Sequence, residues 1–183
     1  MAVLRLVLLI IGLLFAGSWT PATGADEPSE YQVKAAFLLN FIRFVEWRDD
    51  AFKTATDPLV VGILGKDPFD GALDQTISNK SINGRSVVVR RISDAASARD
   101  CHVIFLAWSE TRRLSDVANG MVNRGMLIVG ESEGFAQRGG MINFVVQDSH
   151  VRFEINPSAA ARAGLKVSSK LLQLAIIVGE KGK

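Results

Sequence analysis

Polar and aromatic side chains directly follow the apolar segments that the sequence predicts to be buried strands. Lys66 and Asp67 follow one such segment, Trp108 and Ser109 follow another, and residues 131–132 follow a third. In an open parallel sheet, ligands bind beyond the carboxyl ends of the strands, where the strand order reverses. We expect Trp108 to pack in the core; the alternative is an amphipathic anchor for a small molecule or partner. Lys66, Asp67, Trp108 and Ser109 are therefore candidates for ligand or partner binding.

Few residue patterns in the sequence point to catalysis. The two histidines, His102 and His150, have no neighbours that mark them as catalytic, and neither a His-Glu-x-x-His nor a Cys-x-x-Cys motif occurs. Metal sites usually need clustered His, Cys or carboxylate ligands. Residues 62–67 lack the spacing and the Ser or Thr of a phosphate-binding loop. We predict a protein that is not an enzyme and uses no metal or cofactor; the alternative is a hydrolase with scattered catalytic residues.

The first predicted helix carries one charge on its apolar side. Ser29 and Gln32 match a capping box, which predicts a helix from there to about Trp47. Because most of its circumference is apolar, we expect the helix to pack on two sides. Lys34 lies on the apolar side, and we expect its side chain to snorkel outward. The alternatives are a buried ion pair or an anchor for a ligand anion.

Short apolar segments then alternate with helix-like segments. Strands are predicted at 59–64, 86–92, 103–107 and 126–129, and helices at 69–77, after Ser93 or Asp94, at 110–123 with Ser109 as its cap, and near 134–137. This alternation favours an α/β fold with a mainly parallel sheet and helices on both faces. The strands are continuously apolar, as expected for strands buried on both faces.

The C-terminal part predicts an antiparallel β-hairpin at one edge of the sheet. A turn at Asp148-Ser149 pairs residues 141–147 with residues 150–155, so that one face is apolar and the other largely polar. Arg152 and Glu154 of the polar face are further candidates for ligand or partner binding.

Two helices are predicted after the hairpin. Asn156 and Pro157 suit the N-cap and first position of a helix that ends at Gly164. Ser168 or Ser169 caps a last helix to about Val178. The apolar surface of this last helix and of the first one leaves two interpretations open: both helices flank the sheet, or they support a homodimer.

The first residues of the chain predict export. Arg5 precedes the apolar run 6–16, which is shorter than the roughly 20 residues that span a bilayer. Small residues at 22–25 suit cleavage after Ala25. We therefore predict a signal peptide at 1–25, a single domain at 26–183 and a periplasmic location; the alternative is an uncleaved membrane anchor.

Charge and cysteine content exclude further classes of protein. The formal net charge is +2, so no basic field indicates nucleic-acid binding. Cys101 is the only cysteine, and an internal disulfide is therefore impossible. We expect Cys101 to be a small buried hydrophobe, and the alternatives are an intermolecular disulfide or a redox sensor.

Motifs spread over roughly residues 31–175 form an ordered set, which consists of Tyr31–Phe41, Phe44–Trp47, Ile63–Gly65, Cys101–Phe105, Phe135–Ala136, Gly139–Phe144, Val151–Asn156, Gly164–Leu165 and Ser168–Leu172. In this order they resemble the YfiR-like periplasmic proteins. The resemblance implies a non-enzymatic regulator that binds the periplasmic part of an inner-membrane diguanylate cyclase. Such binding represses the cyclase and lowers cyclic di-GMP and biofilm formation.

The same resemblance implies further partners and one difference. An outer-membrane lipoprotein can sequester the repressor in this family, and other members serve receptors such as sensor kinases. The redox tuning of the family's namesake through internal disulfides is not available to a chain whose only cysteine is Cys101. Our leading hypothesis is a periplasmic adaptor or repressor of a membrane signalling protein, and the alternative is a periplasmic small-ligand-binding protein.

Overall fold

The computed structural model describes residues 27–94, 96–120 and 125–179. The predicted signal peptide, its cleavage site and the predicted helix end at residue 123 lie outside these ranges. Within them, no helix combines the length and apolar character needed to cross a membrane.

Helix α1 (Glu30–Phe44) begins at the predicted capping box. The Ser29 hydroxyl accepts a hydrogen bond from the Gln32 backbone N–H at 3.3 Å, and the Ser29 N–H donates to the Gln32 side chain at 2.7 Å. The predicted end near Trp47 is wrong, because strand β1 (Val45–Glu46) follows at once and pairs with strand β9 (Lys166–Val167). A long-range pairing thus overrides the helical pattern in the last residues.

The main sheet of the described residues has eight strands. In chain order they are β2 (Leu59–Leu64), β3 (Ser81–Ile82), β4 (Arg85–Ile92), β5 (Val103–Leu106), β6 (Leu127–Gly130), β7 (Ile142–Gln147), β8 (His150–Ile155) and β10 (Ile176–Ile177). Across the sheet the order is β10-β8-β7-β6-β5-β2-β4-β3, and the strands from β4 to β7 are parallel. Every residue of β2, β5 and β6 is buried, so both faces of the central sheet are covered, as predicted.

The remaining helices are short. They are α2 (Ala72–Ile77), α3 (Leu114–Gly120), α4 (Pro157–Arg162) and α5 (Ser169–Leu172), with 3-10 helices at 49–51, 97–100, 108–113 and 136–138. Ser109 does not cap a helix, because a 3-10 helix already begins at Trp108. Asn156 caps α4 as predicted and accepts a hydrogen bond from the Ala159 N–H at 2.9 Å.

The C-terminal hairpin has the predicted register. Ile142 lies opposite Ile155, and Val146 lies opposite Val151. The prediction that the last helix extends to Val178 is wrong beyond Leu172, where the helix ends. The β-branched residues Ile176 and Ile177 form strand β10, which pairs with β8 on the outer side of the hairpin. Both turn residues, Asp148 and Ser149, have positive φ, as a two-residue hairpin turn of type I′ requires.

Helix α1 is anchored on this hairpin by aromatic packing. The Phe41 ring is fully buried, with its centroid 5.4 Å from that of Phe144 and 5.0 Å from that of Phe153. This contact fixes how the helix crosses the sheet. It therefore also places Tyr31 and Lys34, about two to three turns earlier, at the carboxyl ends of the strands.

Cys101 behaves as a structural residue. It is buried, and burial raises the pKa of its thiol to about 11. Its sulfur also marks a tight contact, because a Cβ at Gly62 would lie 2.7 Å from it. A protonated, buried thiol is a poor nucleophile, in agreement with the prediction of a small hydrophobe.

His102 is held neutral in the fold. Its Nδ1 accepts a hydrogen bond from the Val60 N–H, and its Nε2 donates to the Ala51 carbonyl, each at 3.1 Å. The imidazole stacks on Phe52 with 4.3 Å between centroids. Burial lowers the pKa of His102, because a charged ring is poorly solvated there.

This environment predicts a pH-dependent stability. The folded pKa lies below the unfolded value of about 6.5, so the unfolded chain binds the proton more readily. We expect the free energy of unfolding to be constant above about pH 7 and to fall as the pH drops below about 6.5. Urea unfolding between pH 7.5 and 5 measures it, and His102→Asn, which cannot titrate, should flatten the dependence. The matched control His150→Asn, at the exposed hairpin turn, should leave it unchanged; equal slopes for His102→Asn and wild type would contradict the assignment.

Candidate functional site

The carboxyl ends of β2 and β5 meet at the point where the strand order reverses. β4 pairs with one side of β2 and β5 with the other, as predicted for the candidate site. The Ser109 hydroxyl accepts a hydrogen bond from the Lys66 N–H at 3.1 Å. A Cβ at Gly65, whose φ is +100°, would lie 2.6 Å from that hydroxyl oxygen and 2.5 Å from Glu110 Cγ. The two loops are thus packed directly against each other, and Ser109 joins them.

Asp67 is engaged by its own chain. Its carboxylate accepts hydrogen bonds from the Phe69 N–H at 2.8 Å and from Arg91 Nε at 2.9 Å. Arg91 also makes a bidentate contact with Asp74, which raises the pKa of the guanidinium and lowers that of the Asp74 carboxyl. The Lys66 side chain is exposed beside this network.

Trp108 points away from the core. Trp108 is 74% exposed, so the expectation of core packing is wrong, and the alternative of an anchor for a small molecule or partner stays a prediction. It lines an open cleft of about 430 Å³, which we name the Trp108 cleft. The other lining residues are Glu30, Tyr31 and Lys34 of α1, residues 131–133 after β6, and residues 143–146 of β7.

A buried ion pair forms the floor of the Trp108 cleft. Lys34 is 4% exposed, and its ammonium lies 2.8 Å from Glu131 Oε2 and 2.5 Å from Glu30 Oε1. It also lies 4.5 Å from the centroid of the Tyr31 ring, whose hydroxyl donates to Glu131 at 3.4 Å. Snorkelling of Lys34 is therefore wrong, and the ion-pair alternative is confirmed. Packing of α1 on the sheet shields the Lys34 side chain from water, whereas Glu30 stays about half exposed.

Opposing effects set the protonation of this network. Burial alone lowers the pKa of Lys34, but its hydrogen bonds to Glu131 and Glu30 outweigh that effect and raise the pKa overall. Burial, and then the negative charge of Glu131, raise the pKa of Tyr31. Lys34 is thus a permanent cation and Tyr31 a neutral hydroxyl near neutral pH.

Glu154 is connected to the Trp108 cleft by a hydrogen bond from the buried side-chain amide of Asn143, which lines the cleft. Asn143 is 1% exposed, and its Nδ2 donates to Glu154 Oε2 at 2.9 Å. Gln137 donates to the other carboxylate oxygen at 3.3 Å. The Asn143 Oδ1 atom is buried and has no hydrogen-bond partner in the described part of the chain. Arg152 is exposed on β8, opposite Val145 of the cleft wall.

The predicted site residues thus fall into neighbouring groups. One group lies around the point where the strand order reverses and consists of Lys66, Asp67 and Ser109. The other group consists of Trp108, which lines the Trp108 cleft, and of Arg152 and Glu154, which flank that cleft. Tyr31, Glu133 and Asn143 were not among the predicted residues. The register of Asn143 opposite Glu154 was the sequence signal that could have identified Asn143.

From the last residue of β6 onward the chain reads Gly130-Glu131-Ser132-Glu133-Gly134, which fits the Gly-x-Ser-x-Gly pattern of a serine nucleophile. That motif needs an exposed Ser on a strained turn with a histidine partner. Ser132 is buried, lacks a positive φ, and its hydroxyl accepts a hydrogen bond from Arg138 at 3.4 Å. Both histidines bond to backbone groups elsewhere in the described chain. The arrangement does not form a catalytic triad.

Basic residues also line clefts at the opposite edge of the sheet, but they contact their own chain. Arg85 lies 3.8 Å over the Phe52 ring and donates to the Thr54 and Asp57 carbonyls. Arg48 pairs with the exposed Asp50 at 2.9 Å. The edge of the sheet at which the parallel strands have their carboxyl ends is therefore the better candidate site. In the described ranges, no group of three or more His, Cys, Asp or Glu side chains could hold a metal ion.

Comparison with known proteins supports the order of motifs found in the sequence. A family model described as YfiR/HmsC-like matches residues 31–176. The matched range runs from the first turn of α1 into β10 and includes all six predicted site residues. A search of curated proteins found no significant match.

Proposed function

The chain belongs to the YfiR/HmsC-like family, and we propose that it binds the periplasmic part of an inner-membrane signalling protein and regulates it without catalysis. The family is one of periplasmic regulators in signalling, and the match to residues 31–176 is the observation that carries the proposal. The exposed Trp108 and its cleft support it, since large exposed aromatic residues are typical anchors of protein interfaces.

The most specific form of the proposal is repression of a diguanylate cyclase. Loss of the protein is then expected to raise cyclic di-GMP and biofilm formation several-fold, because an inhibitory contact is removed. Cyclic di-GMP extracted from a deletion strain, and from the strain complemented with the full chain, measures it. Complementation with a chain that lacks residues 1–25 is the matched control and should fail if the regulator acts after export. Unchanged cyclic di-GMP in the deletion strain would remove the cyclase and leave a sensor kinase as the partner class.

The partner itself can be identified by affinity capture from solubilised membranes. We expect an inner-membrane protein with a periplasmic domain and a cytoplasmic cyclase or kinase domain. An outer-membrane lipoprotein that sequesters the repressor would appear as a second captured protein. The repeated absence of any membrane signalling protein would refute the proposal.

Two other functions remain as proposals. A small-ligand-binding protein would use the concave carboxyl edge, and a metabolite screen by thermal shift would detect it, because binding raises stability by RT ln(1 + [L]/Kd). Self-association would use the exposed Leu174 together with the exposed Ile176 and Ile177 of the outer strand β10. Light scattering after size exclusion distinguishes a homodimer from a monomer.

A further inference from the structure

We propose that the Trp108 cleft binds a basic side chain, an arginine or a lysine, that the partner protein presents next to an apolar residue. The inference rests on the proposed function, because it names the face by which this regulator contacts its partner. The argument depends on the charge of the cleft, one unpaired acceptor and the apolar rim.

The charge of the cleft is negative. Its lining includes the carboxylates of Glu30, Glu131 and Glu133 and the ammonium of Lys34. Lys34 already bonds to Glu30 and Glu131, and the Tyr31 hydroxyl donates to Glu131. The donors of the floor are therefore in use, while negative charge remains in excess. A cation is the complement of such a surface.

The unpaired acceptor belongs to Asn143 in the cleft wall. The Glu154 carboxylate fixes the orientation of this amide, because a flipped amide would place two acceptor oxygens against each other. Oδ1 is consequently held without a donor, although Asn143 is 1% exposed. A buried acceptor without a partner is unfavourable. An incoming guanidinium or ammonium group would supply the missing hydrogen bond.

The rim explains why the cation should belong to a protein. Trp108 is 74% exposed and Val146 is 55% exposed, and both line the cleft. The Trp108 ring can receive the cation on its face, as indoles do best among aromatic side chains. A small amine would leave Val146 and most of the Trp108 ring in water, whereas a peptide with an apolar neighbour covers them.

A matched set of pentapeptides tests the chemistry. The probes are acetyl-Ser-Leu-Arg-Leu-Ser-amide, the same peptide with citrulline in place of arginine, and arginine ethyl ester alone. Two-dimensional ¹H–¹⁵N NMR of the chain purified from the periplasm should show at least tenfold tighter binding of the arginine peptide than of either other probe. The signals that move should be the Trp108 indole N–H and the Asn143 side-chain amide.

Variants of three exposed residues test where the peptide binds, two in the cleft and one control outside it. Trp108→Ala and Glu133→Gln should each weaken binding of the arginine peptide at least fivefold, whereas Leu174→Ala, an equally exposed apolar residue, should not change it. Equal binding of the citrulline peptide, equal binding of arginine ethyl ester, or unaltered binding to Trp108→Ala would each overturn the inference.

Membrane capture separates this inference from the proposed function. If wild type and Trp108→Ala capture the same signalling protein equally well, the proposed function stands and the Trp108 cleft is not the contact. If the arginine peptide binds as expected but no membrane signalling protein is captured, the cleft remains a site for basic segments and the proposed function is wrong.

Discussion

Replacing Lys34 by Met is expected to lower the free energy of unfolding by about 3–5 kcal/mol, the range for breaking one side of a buried ion pair. The Glu131 side chain is 7% exposed and lies 2.8 Å from the lysine ammonium. Without Lys34, Glu131 keeps the Tyr31 hydroxyl at 3.4 Å as its only hydrogen-bond partner among the described residues, and its charge is buried without compensation. Urea unfolding at pH 7, followed by circular dichroism, measures the loss.

A second variant identifies the cause of that loss. Lys34→Met combined with Glu131→Gln removes both charges and should recover most of the stability lost by the single change. Arg48→Met, in the exposed pair with Asp50, is the control and should cost far less than Lys34→Met, because water screens an exposed ion pair. A Lys34→Met protein as stable as wild type would show that the pair contributes nothing and that this floor of the Trp108 cleft is solvated.

Replacing Phe41 by Ala is expected to cost about 3–5 kcal/mol, because a fully buried ring is removed from the contact between α1 and the hairpin. The ring touches Phe144 and Phe153 on two strands, so the cavity cannot close by moving one side chain. The midpoint of thermal unfolding should fall by about 10 °C for a domain of this size.

The controls for Phe41 lie on the same helix. Phe41→Leu fills most of the space and should cost clearly less than Phe41→Ala. Arg43→Ala changes an exposed residue of α1 and should stay within about 0.5 kcal/mol of wild type. A loss below about 1 kcal/mol for Phe41→Ala would contradict the role of this ring as the anchor of α1.

These two changes test one structural idea at different points. Phe41 fixes α1 on the sheet, and the fixed helix places Lys34 against Glu131 at the carboxyl end of β6. Glu30, Tyr31 and Lys34 of α1 line the Trp108 cleft, so the position of this helix determines part of the cleft wall. We therefore expect Phe41→Ala to weaken peptide binding at the Trp108 cleft, although Phe41 is not among the residues that line it.

Local and periodic features were readable from the sequence. The capping box of Ser29 and Gln32, the helix start at Asn156-Pro157 and the hairpin register around Asp148-Ser149 are all confirmed. Each depends on residues a few positions apart, or on a strict alternation that a slip of one residue would reverse. The parallel direction of the buried strands, though not their order in the sheet, followed from the same kind of pattern, since strands covered on both faces are continuously apolar.

Other features were decided only by the tertiary structure. Lys34 pairs with Glu131, which lies 97 positions away in the chain. No local sequence signal shows whether the lysine side chain forms such an ion pair or extends into water. Trp108 lies two positions after the buried strand β5, at the first residue of a 3-10 helix, and it is exposed. α1 ends early because Val45 pairs with β9, and the last helix ends early because Ile176 pairs with β8. The sequence pattern indicates which side chains will be buried. The tertiary structure determines which residues, distant in the chain, they pack against or pair with.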